Sequence, residues 1–173
     1  LHPPAVLDDF LLPFFSERGC GLRHDEHVRP NQFEQFVHPP VDISPRWVLK
    51  RVLELYDARG WKPIVAPELE FFLVQVNKDP DYPLVPPVGR SGRTESGRQA
   101  YGIDAVNEFD PIFEDVYDYC EAQRIDIDTL THEAGAAQIE INFNHGDPLE
   151  LADQVFLFKR TVRETAIRHN VYA

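Results

Sequence analysis

Four glutamates on two short segments are the residues of this chain best suited to chemistry. Glu68 and Glu70 lie in the first segment, and Glu133 and Glu140 lie in the second. Two ionised carboxylates about 4 Å apart repel each other by roughly 4 kcal/mol at an effective dielectric constant of about 20. Such a group is tolerated in bulk water, in a protonated state or around bound cations. Its oxygens suit hard ions such as Mg²⁺ or Mn²⁺, above all where substrate phosphates complete the ligand shell.

Both segments alternate polar and apolar residues, which predicts strands, because successive strand side chains point to opposite faces. Glu68 and Glu70 then share one face, and Leu69 and Phe71 share the other. The second segment carries two alternating sets, with Gln138, Glu140, Asn142 and Asn144 on one face and Ile139, Ile141 and Phe143 on the other. A half-exposed antiparallel strand shows the same alternation, so a merely solvated face is the alternative to a cation site.

A turn is needed between Glu133 and Glu140, since an odd separation along one straight strand sends two residues to opposite faces. Residues 135–137, Gly-Ala-Ala, predict that turn. We therefore expect Glu133 and Glu140 on successive strands of a hairpin, with both carboxylates toward the same cavity.

Start signals and apolar stripes predict the elements around these strands. Three helices are expected to begin at Ser44-Pro45, Asp110-Pro111 and Asp147-Pro148, each an N-cap followed by proline. Their stripes are, in order, Val48, Val52, Leu55 and Tyr56; Ile112, Val116, Tyr117 and Cys120; and Leu151, Val155, Phe158 and Val162. The strand that carries Glu68 is expected to span about 64–76, and another about 125–130. Amphipathic strands alternating with helices predict an α+β fold, a largely antiparallel sheet with helices on one side.

The bulk properties exclude several classes of protein. A formal net charge of -12 over 173 residues argues against nucleic acid or an anionic membrane surface as a partner. The sequence has no apolar run long enough to span a bilayer and no secretory signal, so we expect a cytoplasmic protein. Cys20 and Cys120 form neither a metal-ligand spacing nor a disulfide framework, and Cys120 is expected in the core.

Two regions carry weaker signals. Residues 1–40 are expected to be an atypical or truncated N-terminal segment, whose scattered histidines (His2, His24, His27 and His38) fit no familiar metal site. Residues 77–110 predict a long loop rich in proline and glycine. Its arginines, Arg90, Arg93 and Arg98, either bind phosphate or carboxylate groups or lie on a solvated flexible loop.

The motifs resemble those of the glutamine synthetase family. The resemblance rests on residues 65–73, Val-Ala-Pro-Glu-Leu-Glu-Phe-Phe-Leu, and on residues 132–143, His-Glu-Ala-Gly-Ala-Ala-Gln-Ile-Glu-Ile-Asn-Phe. Residues 86–93, 104–111 and 152–160 are similar to the γ-glutamylpolyamine (γ-glutamylputrescine) synthetase branch. The resemblance covers roughly residues 41–173 and implies the N-terminal part of a catalytic domain, incomplete at its C-terminus. We therefore expect the chain to be a fragment of a longer protein.

The resemblance implies a curved antiparallel sheet whose concave face binds two divalent cations, Mg²⁺ or Mn²⁺. Glu70, Glu133 and Glu140 match the ligands of one ion, and Glu68 matches a ligand of the other. A His and a Glu further along the chain complete the second site in the family. Two weaker matches are Asp128 near a nucleotide-contacting position and Tyr101 beside the substrate entrance. The alternatives for these two are a capping Asp and a packed Tyr.

The implied reaction is the ATP-dependent joining of the γ-carboxylate of glutamate to an amine, through γ-glutamyl phosphate. The amine is putrescine, another polyamine or ammonia, and the pathways are polyamine catabolism and nitrogen metabolism. No protein nucleophile is required, so the resemblance implies no catalytic nucleophile in this chain. The family forms ring-shaped homo-oligomers with a small N-terminal β domain that residues 1–40 do not resemble. We expect the fragment alone to have little or no synthetase activity.

Two other functions are suggested by patterns in the sequence. Residues 80–87, Pro-Asp-Tyr-Pro-Leu-Val-Pro-Pro, carry a polyproline-type pattern typical of a non-catalytic interaction module. Strand and helix signals on both sides favour a loop in a folded domain instead. A calcium loop at Asp126 and Asp128 is excluded because the required later glycine and acidic residue are missing.

Overall fold

The computed structural model describes residues 41–173. Four helices and five strands follow one another along this part of the chain. In order they are α1 (Pro45–Asp57), β1 (Glu68–Phe72), β2 (Val74–Gln75), α2 (Ile103–Asn107), α3 (Asp110–Gln123), β3 (Ile127–His132), β4 (Gln138–Phe143), α4 (Pro148–Arg168) and β5 (Val171–Tyr172). Among these residues no helix combines the length and the apolar character needed to cross a membrane.

The strands form two small antiparallel sheets. The larger one has the order β1-β4-β3, and the smaller one pairs β2 with β5. β3 and β4 are the predicted hairpin, and buried Ala137 takes a left-handed backbone (φ 54°) in its turn. The predicted α+β class and the largely antiparallel sheet are confirmed.

One face of the larger sheet is covered by α3 and α4. Leu73, Ile139, Ile141 and Phe143 are buried there with Val116, Cys120, Phe158 and Val162 of the two helices. The rings of Phe143 and Phe158 meet edge to face with their centroids 5.1 Å apart. The predicted core position of Cys120 is confirmed, and burial raises the pKa of its thiol to about 12.

The three predicted caps differ in what their side chains do. Asp147 caps α4, because its carboxylate accepts the backbone N–H groups of Leu149 (2.9 Å) and Glu150 (3.0 Å). Ser44 occupies the N-cap position of α1, but its hydroxyl makes no capping hydrogen bond. The assignment of Asp110 was wrong by one residue, since Phe109 is the N-cap of α3 and Asp110 is already helical.

The predicted strand over 64–76 is shorter and interrupted. β1 ends at Phe72, and Val74 and Gln75 of β2 pair with β5 instead of β4. Leu73 lies between β1 and β2 and is fully buried, and its N–H donates to the carbonyl of Ala137 at 2.9 Å. The chain therefore changes partner at Leu73, a switch that alternation alone does not encode. Val65, before the strand, forms only an isolated bridge to Gly146.

The apolar stripe of α1 does not enter the core of the described residues. No residue of α1 is buried, and Val48, Val52 and Leu55 remain substantially exposed. The helix is fastened to α4 by a bidentate pair, in which Arg46 donates to both carboxylate oxygens of Asp153 at 2.8 and 2.9 Å. This pair lowers the pKa of Asp153 and raises that of Arg46.

Candidate functional site: an acidic face on the larger sheet

The uncovered face of the larger sheet carries all four glutamates singled out from the sequence. Glu70 lies directly opposite Glu140 in the β1–β4 register, and Glu68 lies opposite Asn142. Glu133 follows the last residue of β3, and its N–H donates to the carbonyl of Gln138 at 2.7 Å. Because side chains two residues apart on a strand share a face, the four carboxylates stand on one surface, called here the acidic face.

The four carboxylates differ in their surroundings. Glu68 and Glu70 are exposed, whereas Glu133 and Glu140 are half-buried. The amide of Gln138 donates to the Glu70 carboxylate at 2.5 Å, and its oxygen accepts the Gly135 N–H at 2.8 Å. Gln138 thus links the hairpin turn to Glu70. Its place on the polar side of β4 was evident from alternation, but its contact with Glu70 depends on strand pairing.

The acidic face does not form a closed ligand cage. Within residues 41–173, no group of three or more His, Cys, Asp or Glu side chains stands close enough to hold a metal ion. The register nonetheless allows convergence, since directly opposite Cβ atoms of paired strands lie about 5 Å apart and diagonal neighbours about 7–8 Å. Glu140 is opposite Glu70 and diagonal to Glu133. A single ion held by all three carboxylates would therefore require their side chains to turn toward one another.

The donor type also fits a hard divalent ion. Every candidate ligand on this face is an oxygen, and the face holds no thiol or imidazole among the paired residues. Mg²⁺ and Mn²⁺ prefer such ligands and keep open positions for water or phosphate. The residues therefore fit the ion in chemistry, and the assignment of the four glutamates as its ligands stays a prediction.

Tyr101 lies beside this face in the backbone. Its N–H donates to the carbonyl of His132 at 2.8 Å, which places the residue next to the end of β3 and thus next to Glu133. The ring is mostly exposed, so the packed alternative does not describe it. Its role at a substrate entrance stays a prediction.

Asp128 lies on β3 where the pairing with β4 is irregular. The register shifts between Ile127 and Leu130, so it does not assign Asp128 to the acidic face. The carbonyl of Asp128 accepts the Tyr117 hydroxyl at 3.0 Å. Burial, and secondarily the charge of Asp128, raises the pKa of Tyr117. The structure thus relates Asp128 to α3, and a nucleotide contact at this residue stays a prediction.

The long connection over 77–110 is held by hydrogen bonds at several points. It contains α2, which the sequence did not predict. The carboxylate of Glu108 accepts the Ser91 N–H at 2.9 Å, and its carbonyl accepts the Arg90 N–H at 3.0 Å. The Ser91 bond, and then the charges of Arg90 and Arg93, lower the pKa of Glu108. These two arginines therefore already have an anionic neighbour within the connection.

The proline-rich stretch over 80–87 belongs to the same folded unit. Gln75 donates its N–H to Val85 (2.9 Å) and its side-chain amide to Pro86 (3.0 Å). Pro87 is buried. A stretch anchored in this way is not free along its length to fill the groove of a partner, which weakens the interaction-module alternative.

Comparison with known proteins places this chain in a family. Residues 42–173 match the family described as glutamine synthetase, catalytic domain. Gamma-glutamylputrescine synthetase PuuA of Escherichia coli (strain K12) is 36% identical over 137 residues, covering 78% of this chain and 29% of that protein. A glutamine synthetase of Pyrococcus horikoshii is 31% identical over 134 residues, covering 78% of this chain and 28% of that protein.

A solved structure described as apo GmaS without ligand superposes with a TM-score of 0.61 at 25% identity. The match covers 79% of this chain and 31% of that one. The chain thus spans less than a third of the length of each of these proteins. The resemblance drawn from the motifs is confirmed, and the chain belongs to the glutamine synthetase family.

Proposed function

We propose that this chain is part of a ligase that uses ATP to join the γ-carboxylate of glutamate to an amine. Membership of the glutamine synthetase family supports the reaction class. The observation that carries the proposal is the acidic face, where Glu70 stands directly opposite Glu140 with Glu133 on the neighbouring strand. Folding gains nothing from concentrating carboxylates there, whereas binding phosphates through divalent ions requires it.

The chemistry explains why no protein nucleophile is needed. A carboxylate is a poor acylating agent because its oxygen is a bad leaving group. When the γ-carboxylate of glutamate attacks the terminal phosphate of ATP, ADP leaves and γ-glutamyl phosphate forms. The amine nitrogen then attacks the acyl carbon, and phosphate leaves as the amide forms. Positioning and charge compensation carry most of the catalysis in such transfers.

Each acidic residue has a proposed role in that positioning. Glu70, Glu133 and Glu140 would hold one Mg²⁺ or Mn²⁺ ion, and Glu68 would contribute to a second site that residues 41–173 do not complete. Divalent ions at such sites offset phosphate charge and orient the transferred group. Gln138 would orient Glu70 through its 2.5 Å hydrogen bond. Asp128 is proposed to contact the nucleotide, and Tyr101 to border the substrate entrance.

A polyamine such as putrescine is the proposed acceptor, in preference to ammonia. The identity to gamma-glutamylputrescine synthetase, 36%, exceeds that to the Pyrococcus horikoshii glutamine synthetase, 31%. A formal net charge of -12 also favours the approach of a polycationic amine. We further propose that residues 41–173 are the first part of the catalytic domain of a longer, ring-forming homo-oligomer, acting in polyamine catabolism and nitrogen metabolism.

Cation binding tests the proposal directly. Stability is measured by urea denaturation across a Mn²⁺ or Mg²⁺ titration, for the parent chain and for Glu133→Gln and Glu140→Gln. An ion that binds only the folded state stabilises by about 2.7 kcal/mol at a free concentration 100 times its Kd. We expect this gain in the parent and its loss in both variants, because each variant removes one anionic ligand.

Glu164→Gln is the matched control, since this glutamate is exposed on α4, on the opposite side of the larger sheet. It should keep the full ion-dependent gain. A parent chain whose stability does not respond to either ion contradicts the proposal, as does a response that Glu133→Gln and Glu140→Gln leave intact.

The isolated chain is proposed to lack synthetase activity. With ATP, Mg²⁺, glutamate and putrescine supplied together, phosphate release should not exceed the rate without enzyme, because the second ion site lacks its remaining ligands. A metal-dependent rate that requires both glutamate and putrescine would show that residues 1–173 suffice.

A further inference from the structure

Residues 95–101, called here the strap, run beside the end of β3. The Arg98 N–H donates to the carbonyl of Ala134 at 2.7 Å, and the Tyr101 N–H donates to the carbonyl of His132 at 2.8 Å. Both strap residues have a left-handed backbone, with φ of 68° at Arg98 and 62° at Tyr101. Non-glycine residues adopt this conformation where their surroundings hold them in it. The contacts of the strap with β3 are therefore what maintain its shape.

A buried histidine and a buried glutamate face each other between the strap and β3. The side chains of His132 and Glu95 are 0% and 3% exposed. His132 Nδ1 is 2.7 Å from the carbonyl oxygen of Glu133, and because a carbonyl only accepts, Nδ1 carries the hydrogen. His132 Nε2 then faces the Glu95 carboxylate at 3.7 Å, a contact that is not a hydrogen bond and that is attractive when the imidazole is protonated.

Glu95 is in turn fixed within the strap. One of its carboxylate oxygens accepts the Ser96 N–H at 3.2 Å and the side-chain amide of Gln99. A buried carboxylate is unfavourable unless neighbouring donors and charges compensate it. The donors come from the strap and the imidazole comes from β3, so the strap must stay docked for the carboxylate to keep both.

The same contacts surround the backbone of Glu133. Its N–H donates to Gln138 at 2.7 Å, and its carbonyl accepts His132 Nδ1. The carbonyls of the residues on either side of it, His132 and Ala134, accept the two strap N–H groups. The backbone of Glu133 is thus held by β4 from one side and by the strap from the other, which fixes the direction in which its side chain leaves the chain.

We propose that Glu95 is a positioning residue, whose buried carboxylate fastens the strap to β3 through His132 and thereby orients Glu133. The docking of the strap follows from its own contacts. The consequence for ion binding rests on the proposed function, because it requires Glu133 to be a ligand.

Glu108 provides a matched comparison within the same connection. It is also a glutamate that accepts a backbone N–H, from Ser91, and it fixes the turn at residues 89–93. Its hydrogen bonds to Ser91 and Arg90 lie outside the strap. Substitution of each glutamate by glutamine should therefore release a different end of the connection.

Limited proteolysis with trypsin measures the opening of the turn at residues 89–93 and of the strap separately. Arg90, Arg93 and Arg98 are exposed, and none of them is followed by proline, so trypsin can cleave after each. Cleavage sites are mapped by mass spectrometry under conditions where opening is fast relative to cleavage. We expect Glu95→Gln to accelerate cleavage after Arg98 about tenfold or more. Glu108→Gln should accelerate cleavage after Arg90 and Arg93 and leave Arg98 unchanged. Equal cleavage after Arg98 in parent and Glu95→Gln would overturn the proposal.

His132→Asn tests the other half of the pair. Asparagine keeps a donor near Nδ1 but has no group in place of Nε2. We expect it to match Glu95→Gln in cleavage after Arg98, with no further acceleration in the double variant, since both act through one contact. Fully additive effects would overturn the link between the two residues. If Glu95→Gln does not fold, Gln99→Ala replaces it, because it removes a strap donor to the same carboxylate.

Mn²⁺ affinity, measured by titration calorimetry on the same proteins, tests the positioning role. Glu95→Gln should weaken binding severalfold, and Glu108→Gln should not. Unchanged affinity with an opened strap overturns the positioning role. A parent chain that binds no Mn²⁺ overturns the proposed function and with it the role of Glu95 at the ion site, while the cleavage pattern still decides whether Glu95 holds the strap.

Discussion

The two faces of the larger sheet come from the same three strands but differ in their residue types and in their burial. On one face, Ile139, Ile141 and Phe143 of β4 are buried under α3 and α4. On the other, Gln138, Glu140 and Asn142 alternate with them. Glu140 and Asn142 lie opposite Glu70 and Glu68 of β1, and Gln138 lies opposite Phe72. Burial of apolar area accounts for the first face. No comparable term accounts for the carboxylates of the second face, which the proposed function assigns to ion binding.

The largest effect should come from breaking the apolar face. Phe158→Ala removes a ring that is 1% exposed and packs edge to face on Phe143. We expect the free energy of unfolding to fall by about 4 kcal/mol, from lost burial and the cavity left behind. Urea denaturation measures it.

Phe156→Ala is the control for that substitution. Phe156 lies on the same helix but is 75% exposed, so its removal should change stability by no more than about 0.5 kcal/mol. Similar losses in the two variants would mean that α4 does not cover the sheet as described.

A smaller effect is expected at Gly135, in the turn between β3 and β4. A Cβ at Gly135 would stand 2.6 Å from Cε1 of Phe72 and 2.7 Å from Oε1 of Gln138. Gly135→Ala should therefore cost about 1–3 kcal/mol and displace the amide that holds Glu70. Gly146→Ala, whose Cβ would meet nothing nearer than 3.5 Å, should cost far less. Thermal or urea denaturation of the pair checks this, and equal costs would contradict it.

The helix that covers the apolar face supplies the next contrast. Asp147→Ala removes the carboxylate that accepts two N–H groups at the start of α4, so we expect a loss of about 1 kcal/mol. Ser44→Ala at the corresponding position of α1 should be near neutral, because that hydroxyl makes no capping bond. Both residues carry the same sequence signal, so a comparable loss at Ser44 would show that position alone determines the effect.

Sequence patterns were sufficient where the structure is local. Alternation predicted both faces of β1 and β4, and the turn at residues 135–137 predicted the hairpin that brings Glu133 beside β4. These features depend on neighbours along the chain, and their physical cause is the two-residue period of a strand.

The missed features depend on contacts between distant residues. The break at Leu73 follows from pairing with β5, about a hundred residues later. The strap follows from backbone hydrogen bonds to His132 and Ala134. Arg98 and Tyr101 take left-handed conformations there, which the sequence does not indicate because neither residue is a glycine. The apolar stripe of α1 was predicted from its spacing, but within residues 41–173 no residue of this helix is buried. Periodicity predicts which side of an element is apolar, but not what packs on it.

The smallest expected effect is the most informative about the acidic face. Without divalent ions, Glu140→Gln should raise the free energy of unfolding by several tenths of a kcal/mol, because like charges directly opposite on paired strands are destabilising. The gain should fade in 1 M salt, where the screening length falls to about 3 Å. The gain should also vanish in a Glu70→Gln background, since the repelling partner is then neutral.

With saturating Mn²⁺ the parent should become the more stable of the two proteins, because it gains ion binding that Glu140→Gln lacks. If Glu140 served folding instead, the substitution would lower the free energy of unfolding under all of these conditions. The sign of the change in that free energy without ions therefore separates a carboxylate kept for binding from one kept for folding.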